Sequence, residues 1–235
     1  MTVPIWLHQA TGNEWGWNAW CLDLLGFATW APGEADVLAR VPMKLDEYRD
    51  WLARHGITAP EAAGNPRVVE KVRGDEVIFT RDAEPCEIGE LDHAIQLLSA
   101  SREDLLATVS SLPPDALDWD PPYRYFAEWA SWRTVRAILA HIANTETHYY
   151  LPSIGYEASL APAEPDADWR EFLPEHRQET LCFLDGLRDA ADRARVSRDR
   201  EEWSIRKVLR RLVRHELLHW KSMRRIGRDY YRRHG

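Results

Sequence analysis

Cysteine is scarce in this chain, and the three present, Cys21, Cys86 and Cys182, are far apart and odd in number. That spacing excludes a disulfide framework and a cysteine-built zinc site. The reading it leaves is a reducing, cytoplasmic setting. No apolar run approaches the length of a bilayer span, so no membrane partner is expected. The first residues, "MTVPIWLHQATGNEW", lack the basic stretch and apolar core of a secretory signal. A basic surplus is missing as well: the net charge is −8, which argues against a nucleic-acid partner.

Tryptophan, by contrast, is abundant. There are twelve, and Trp6, Trp15, Trp17, Trp20, Trp30 and Trp51 fall in the first quarter of the 235 residues. That quarter differs in kind from the rest. "IWLHQA" and "WNAWCLDL" are aromatic-rich and β-favouring, with turn residues between them. Leu38, Val41, Leu45, Tyr48 and Leu52 then repeat at helical steps until Gly56, with a break or kink expected at Pro42. "RVVEKV" and "EVIF" flank "RGD" as a hairpin would. Residues 1–85 therefore predict a small α+β domain of ββαββ-like order.

Residues 86–235 predict an all-α domain of up-and-down four-helix-bundle type. The first helix carries Leu91, Ile95, Leu98, Leu105, Val109 and Leu112. The second opens at Ser131 as N-cap and ends at Pro152; the third spans about 173–194 with Pro174 in its first turn; the fourth starts at Ser204.

The fourth helix holds "VRHELLHWK". Ile205, Val208, Leu212, His215, His219 and Ile226 form one inward stripe, which places His215 and His219 about 40° apart and roughly 6 Å apart along the axis. Two imidazoles in an apolar seam are costly without a ligand or partners, and at this spacing they converge on one ion. On the second helix Thr134, Ile138, His141, Thr145 and His148 share a face. His141 completes a three-imidazole set, the usual protein share of an open metal site. Ile138, Thr145 and Leu212 are the expected pocket lining. His148, roughly 10 Å beyond His141, reads as a pocket-mouth or helix-end residue. His176 is a weaker inward candidate.

HELLH also matches the zinc-protease pattern H-E-x-x-H. The extended motif fails, because Ser222 stands where Gly is needed and Arg225 where His is needed, and no Glu follows Glu216 to act as third ligand. Glu216 falls off the stripe. It and His148 are the catalytic candidates.

"WRTVRAILAHIANTETHYYL" followed by "WSIRKVLRRLVRHELLHWKSMRRI" resembles the DinB-like (DNA-damage-inducible) superfamily. The resemblance implies a four-helix bundle whose metal is held by one His of the second helix and an H-x-x-x-H pair of the fourth, matching His141, His215 and His219. It implies a divalent metal, zinc first and nickel also suited to imidazole. It further implies a low-molecular-weight thiol or water as nucleophile, with a small-molecule substrate in a thiol-dependent transfer or hydrolysis. "CLDLLGF" and the helix after it are similar to HicB-like domains, implying a protein partner for the front segment. Homodimerisation is compatible with such bundles. The rival reading is a non-catalytic stress-response or interaction module with a structural or sensing metal. From Trp203 onward there are eleven Lys and Arg against two acidic residues, which reads as a solvated face with an anion-binding surface as the alternative.

Overall fold

The computed structural model describes residues 2–12, 15–59, 64–123, 130–190, 196–198 and 201–234. The turn residues Asn13 and Glu14, part of the connector ahead of the second long helix (124–129) and the expected tail of the third (191–194) lie outside them. The chain forms two compact units, Met1–Cys86 with Asp192–Arg210, and Glu87–Ala191 with Arg211–Gly235.

In the first unit β1 (Thr2–Ala10), β2 (Gly16–Trp20) and β3 (Ala28–Ala31) form an antiparallel run. Helix α1 (Glu34–Arg54) follows, and β4 (Asn65–Gly74) returns parallel to β1, so the strand order is β3-β2-β1-β4. A parallel neighbour needs a crossover, and α1 supplies it. Val41, Leu45, Tyr48 and Leu52 of its expected stripe are buried, with Val37 in place of the half-buried Leu38. Pro42 does not break α1. It sits on the exposed side, where water can satisfy the carbonyl that its missing N–H leaves over.

The ββαββ-like expectation is corrected to βββαβ. A turn closed by Leu24 N–H on Cys21 O and Phe27 N–H on Leu24 O delivers the third strand ahead of the helix. After β4, "EVIF" does not pair back as a hairpin. Phe79 is fully buried against Trp6 and Trp20, its N–H donates to Asp82 Oδ2 at 3.0 Å, and a 3-10 turn, Thr80–Ala83, follows. Burial of that one ring outweighs the local β preference. A short antiparallel pair, β5 (Val196–Arg198) and β6 (Glu201–Trp203), precedes helix α6 (Ile205–His234). Ser204 Oγ accepts from Lys207 N–H at 3.1 Å and caps α6. Arg210, on the first turns of α6, lies 4.7 Å from the Trp20 ring and pairs with Asp82 at 2.8 Å.

The second unit contains α2 (Ile88–Ser110), the short α3 (Pro114–Asp118), α4 (Val135–Thr145), α5 (Trp169–Gly186) and the remainder of α6. α4 continues through a π turn, Glu146–Tyr150, and a 3-10 turn, Leu151–Ile154. Two boundaries differ from expectation. The cap of α4 is Thr134, whose Oγ1 accepts from Ala137 N–H at 3.1 Å, rather than Ser131. α5 starts at Trp169, capped by Asp168, whose carboxylate accepts from Arg170 N–H at 3.0 Å, so Pro174 lies past the first turn. Among the described residues no helix is long and apolar enough to cross a membrane.

Candidate metal centre

α4 and α6 bring three imidazoles together inside the second unit. His215 Nε2 lies 3.0 Å from His141 Nε2 and 3.1 Å from His219 Nε2. Among the described residues these three form the one group of metal-capable side chains, and no carboxylate or thiol joins them. The neighbours on each helix explain the placement. Ile138 and Leu212 are buried, so the apolar stripes of α4 and α6 carry the histidines inward with them. Thr145, one turn beyond His141, places Oγ1 3.3 Å from His141 Nδ1. In the tautomer that keeps the Nε2 lone pair available, Nδ1–H donates to that hydroxyl.

Aromatic rings fix the imidazoles. Trp132 stacks on His141, with centroids 3.6 Å apart and planes 9° apart, and stands edge-on to His219. Tyr150, in the π turn, meets His215 edge-on at 5.7 Å. Neither ring was expected from the sequence. Trp132 precedes its helix, and Tyr150 faces His215 through a turn that no repeat announces. His219 is buried, whereas His141 and His215 keep partial exposure.

Burial pushes the His141 imidazole down to about 4. Burial also holds His215 and His219 well below the ordinary histidine range; the other imidazoles add to this, with Arg211 and Arg214 beside His215 and Arg214 beside His219. All three rings are therefore neutral at pH 7, the form in which imidazole ligates. Ligand nitrogens on an ion about 2.1 Å away are separated by about 3.4 Å at tetrahedral angles and about 3.0 Å at right angles. The two separations from His215 Nε2 fall at this scale and all three ligand nitrogens lie within 4.8 Å of one another, a set able to hold one ion.

Glu216 is placed elsewhere. It is fully buried, which corrects its expected position off the inward side: α6 is covered on more than one face. Its Oε1 accepts from Arg102 Nε at 2.6 Å, and its Oε2 accepts from Ser101 Oγ at 3.0 Å and from Arg177. Glu146, at the start of the π turn, takes Arg102 at 2.9 Å and Arg177 at 2.6 Å on one oxygen and Thr180 Oγ1 at 3.1 Å on the other. Leu173 O and Leu98 O accept further guanidinium N–H groups. Two guanidiniums and two carboxylates thus close a neutral, buried network joining α2, the π turn, α5 and α6. Burial acts to raise the Glu216 pKa, but the Arg102 and Arg177 charges override it and hold the carboxyl below its ordinary range. Glu216 is not aimed at a metal-bound water, as the base of an H-E-x-x-H protease must be.

His148 belongs to a second, separate contact. Its Nε2 lies 3.1 Å from Leu160 O and its Nδ1 2.9 Å from Thr147 Oγ1, which is also 2.8 Å from Nδ1 of the buried His176. Elsewhere, His8 Nε2 meets Gly74 O at 2.9 Å, and His55 packs on Trp51.

The sequence model of the DinB superfamily matches residues 97–223, more than half of the chain. No curated protein and no solved structure matches.

Proposed function

The chain belongs to the DinB superfamily, and from that footing we propose that His141, His215 and His219 hold one divalent metal ion at an open, substrate-accessible position. The observation that carries this reading is the convergence of three neutral imidazoles, with His215 Nε2 3.0 Å from His141 Nε2 and 3.1 Å from His219 Nε2 and two of the three rings partly exposed. Zinc is the first choice; nickel also suits an all-imidazole set. When bound, such an ion lowers the pKa of a coordinated thiol or water and makes it a nucleophile at neutral pH.

The chain's own residues do the rest. Thr145 and Trp132 hold His141 in position, and Tyr150 braces His215. Ile138 and Leu212 keep water from the inner side of the group. The reaction is a thiol-dependent transfer or a hydrolysis on a small molecule. In this reading Glu216 and His148 take no part in the chemistry, a view supported by the network that holds Glu216 and by the contacts of His148 with Thr147 and Leu160. In the same reading residues 86–235 are an up-and-down four-helix bundle, residues 1–85 are a HicB-like docking domain for a protein partner, and the protein works in the cytoplasm as a homodimer.

Elemental analysis of protein purified without chelators tests the central point. The expected result is about one divalent ion per chain in the wild type and near none in His215→Ala. A wild-type protein without stoichiometric metal sinks the proposal.

A further inference from the structure

The sheet of the first unit has one long open edge. β4 pairs with β1 on one side, and among the described residues no strand pairs with its other side. The strand is ten residues long and mostly exposed, with Val68 at 36 % and Val69 at 38 %. Its outward N–H and C=O groups are a template for a further strand. Two features make the template selective. Pro66 offers no N–H, and the register with β1 shifts between Ile5 and Trp6, which leaves Val69 as a bulge. Beside the far half of β4 lies a groove of about 350 Å³ lined by Val72, Arg73, Glu76, Val77, Ile78 and Glu202.

Charge decides which strand fits. Glu70 already accepts from Thr80 N–H and Oγ1 at 3.0 Å, and Lys71 pairs with Glu34 at 2.7 Å. Arg67 and Arg73 are exposed, and among the described residues neither has an ion-pair partner. A second copy of this chain does not fit. Two copies about a two-fold axis pair antiparallel. An axis at Val69 sets Arg67 against Lys71, and one at Glu70 sets Arg67 against Arg73 and Glu70 against its own copy. An axis at Lys71 sets that residue against its own copy, and one at Val72 sets Lys71 against Arg73. Each of these registers opposes like charges, which destabilises the pairing.

We propose that the open edge of β4 takes, by strand addition, an extended segment of a different protein that is acidic at both ends of the pairing and β-branched between them. The inference rests on the docking reading of residues 1–85 and gives it a surface and a partner chemistry. Backbone hydrogen bonds to β4 hold the segment, and its two carboxylates meet Arg67 and Arg73. Its β-branched side chains lie along Val68 and Val69. One apolar side chain enters the groove over Val72, Val77 and Ile78. The groove's own carboxylates, Glu202 and Glu76 beside Lys207 Nζ at 3.4 Å, keep an acidic side chain out of it.

The test uses the full chain and three hairpin peptides closed by a D-Pro-Gly turn. Their outer strand alternates valine and threonine between two terminal residues, which are glutamate, glutamine or lysine. Fluorescence anisotropy reads affinity, and hydrogen exchange reads which amides become protected. The glutamate hairpin is expected to bind tightest, about tenfold over the lysine hairpin with the glutamine one between. It should slow exchange over Asn65–Gly74. With Arg67→Glu and Arg73→Glu together, both at exposed positions, the order inverts. Equal affinities, no binding, or an order that charge reversal leaves unchanged overturns the proposal. Protection that appears elsewhere in residues 1–85 overturns this edge and leaves the docking reading standing. Protection confined to residues 87–191 removes the docking reading as well. The wild-type order and protection map need no variant, so they decide even where the double substitution impairs folding.

Discussion

Glu216 stands between two imidazoles in sequence yet shares no contact with them. Its two oxygens answer two guanidiniums that are themselves almost wholly buried. A buried ion pair contributes little net stability compared with an apolar replacement, but removing one partner strands a charge. Glu216→Gln leaves Arg102 and Arg177 facing Glu146 alone, one positive charge in excess. The expected cost is about 3 kcal/mol, seen as a fall in Tm of about 10 °C. Below that lowered Tm the variant keeps its metal, since no ligand has changed. Circular dichroism melting with metal analysis of the folded sample checks both. An unchanged Tm would remove Glu216 from its structural role. Trp132 makes a different prediction. It touches no expected ion but fixes the plane of His141 at 3.6 Å. Trp132→Ala should weaken metal affinity about tenfold with little change in Tm, whereas Trp132→Phe restores much of it. Competition with a metal chelator reads the difference.

At the scale of elements, boundaries turn on single hydroxyls. Thr134 Oγ1 satisfies Ala137 N–H, while Ser131 lies three residues before it. Thr134→Ala should cost about 1 kcal/mol and Ser131→Ala almost nothing; chemical denaturation of the two variants distinguishes the caps, and equal losses contradict this start for α4. The same scale shows what the sequence can and cannot carry. The three histidines were legible because each sits on an apolar repeat, and a polar group recurring on such a repeat needs a partner. Ser204 was legible because N-cap chemistry is local. β3 was not, since "ATWA" is too short to show alternation. The parallel pairing of β4 with β1 was not, because it joins segments more than sixty residues apart. Arg102, Arg177 and Glu146 left a signal that a purely apolar count passes over. Each lies among inward positions, Arg102 between Leu98 and Leu105 and Arg177 between Leu173 and Leu184. Charges at core positions whose signs cancel are the trace of a buried network. Glu216 escaped because a single stripe assumes one covered face, and α6 has more.

Across the whole molecule, the cost of keeping His141, His215 and His219 neutral becomes a pH dependence of stability. In the unfolded chain a histidine titrates near about 6.5. In the folded chain burial depresses all three, His141 to about 4. Between those values the unfolded state binds protons that the folded state refuses, so stability is full above about pH 6.5 and falls as pH drops. His141 alone accounts for about 2 kcal/mol between pH 7 and pH 5, and the other two deepen the loss. Glu216, whose pKa is depressed by Arg102 and Arg177, acts in the same direction but only at more acidic pH, below the ordinary carboxylate range. The two contributions therefore separate along the pH axis. Metal-free protein, prepared with a chelator, should unfold at a clearly lower urea concentration at pH 5 than at pH 7.5. A variant with all three histidines replaced by Gln should lose most of that difference and keep the steeper fall at lower pH. Bound metal adds to the same slope, because protons and the ion compete for the same nitrogens. Equal midpoints for the metal-free wild type at pH 5 and pH 7.5 would mean that the three imidazoles are not buried as a neutral set.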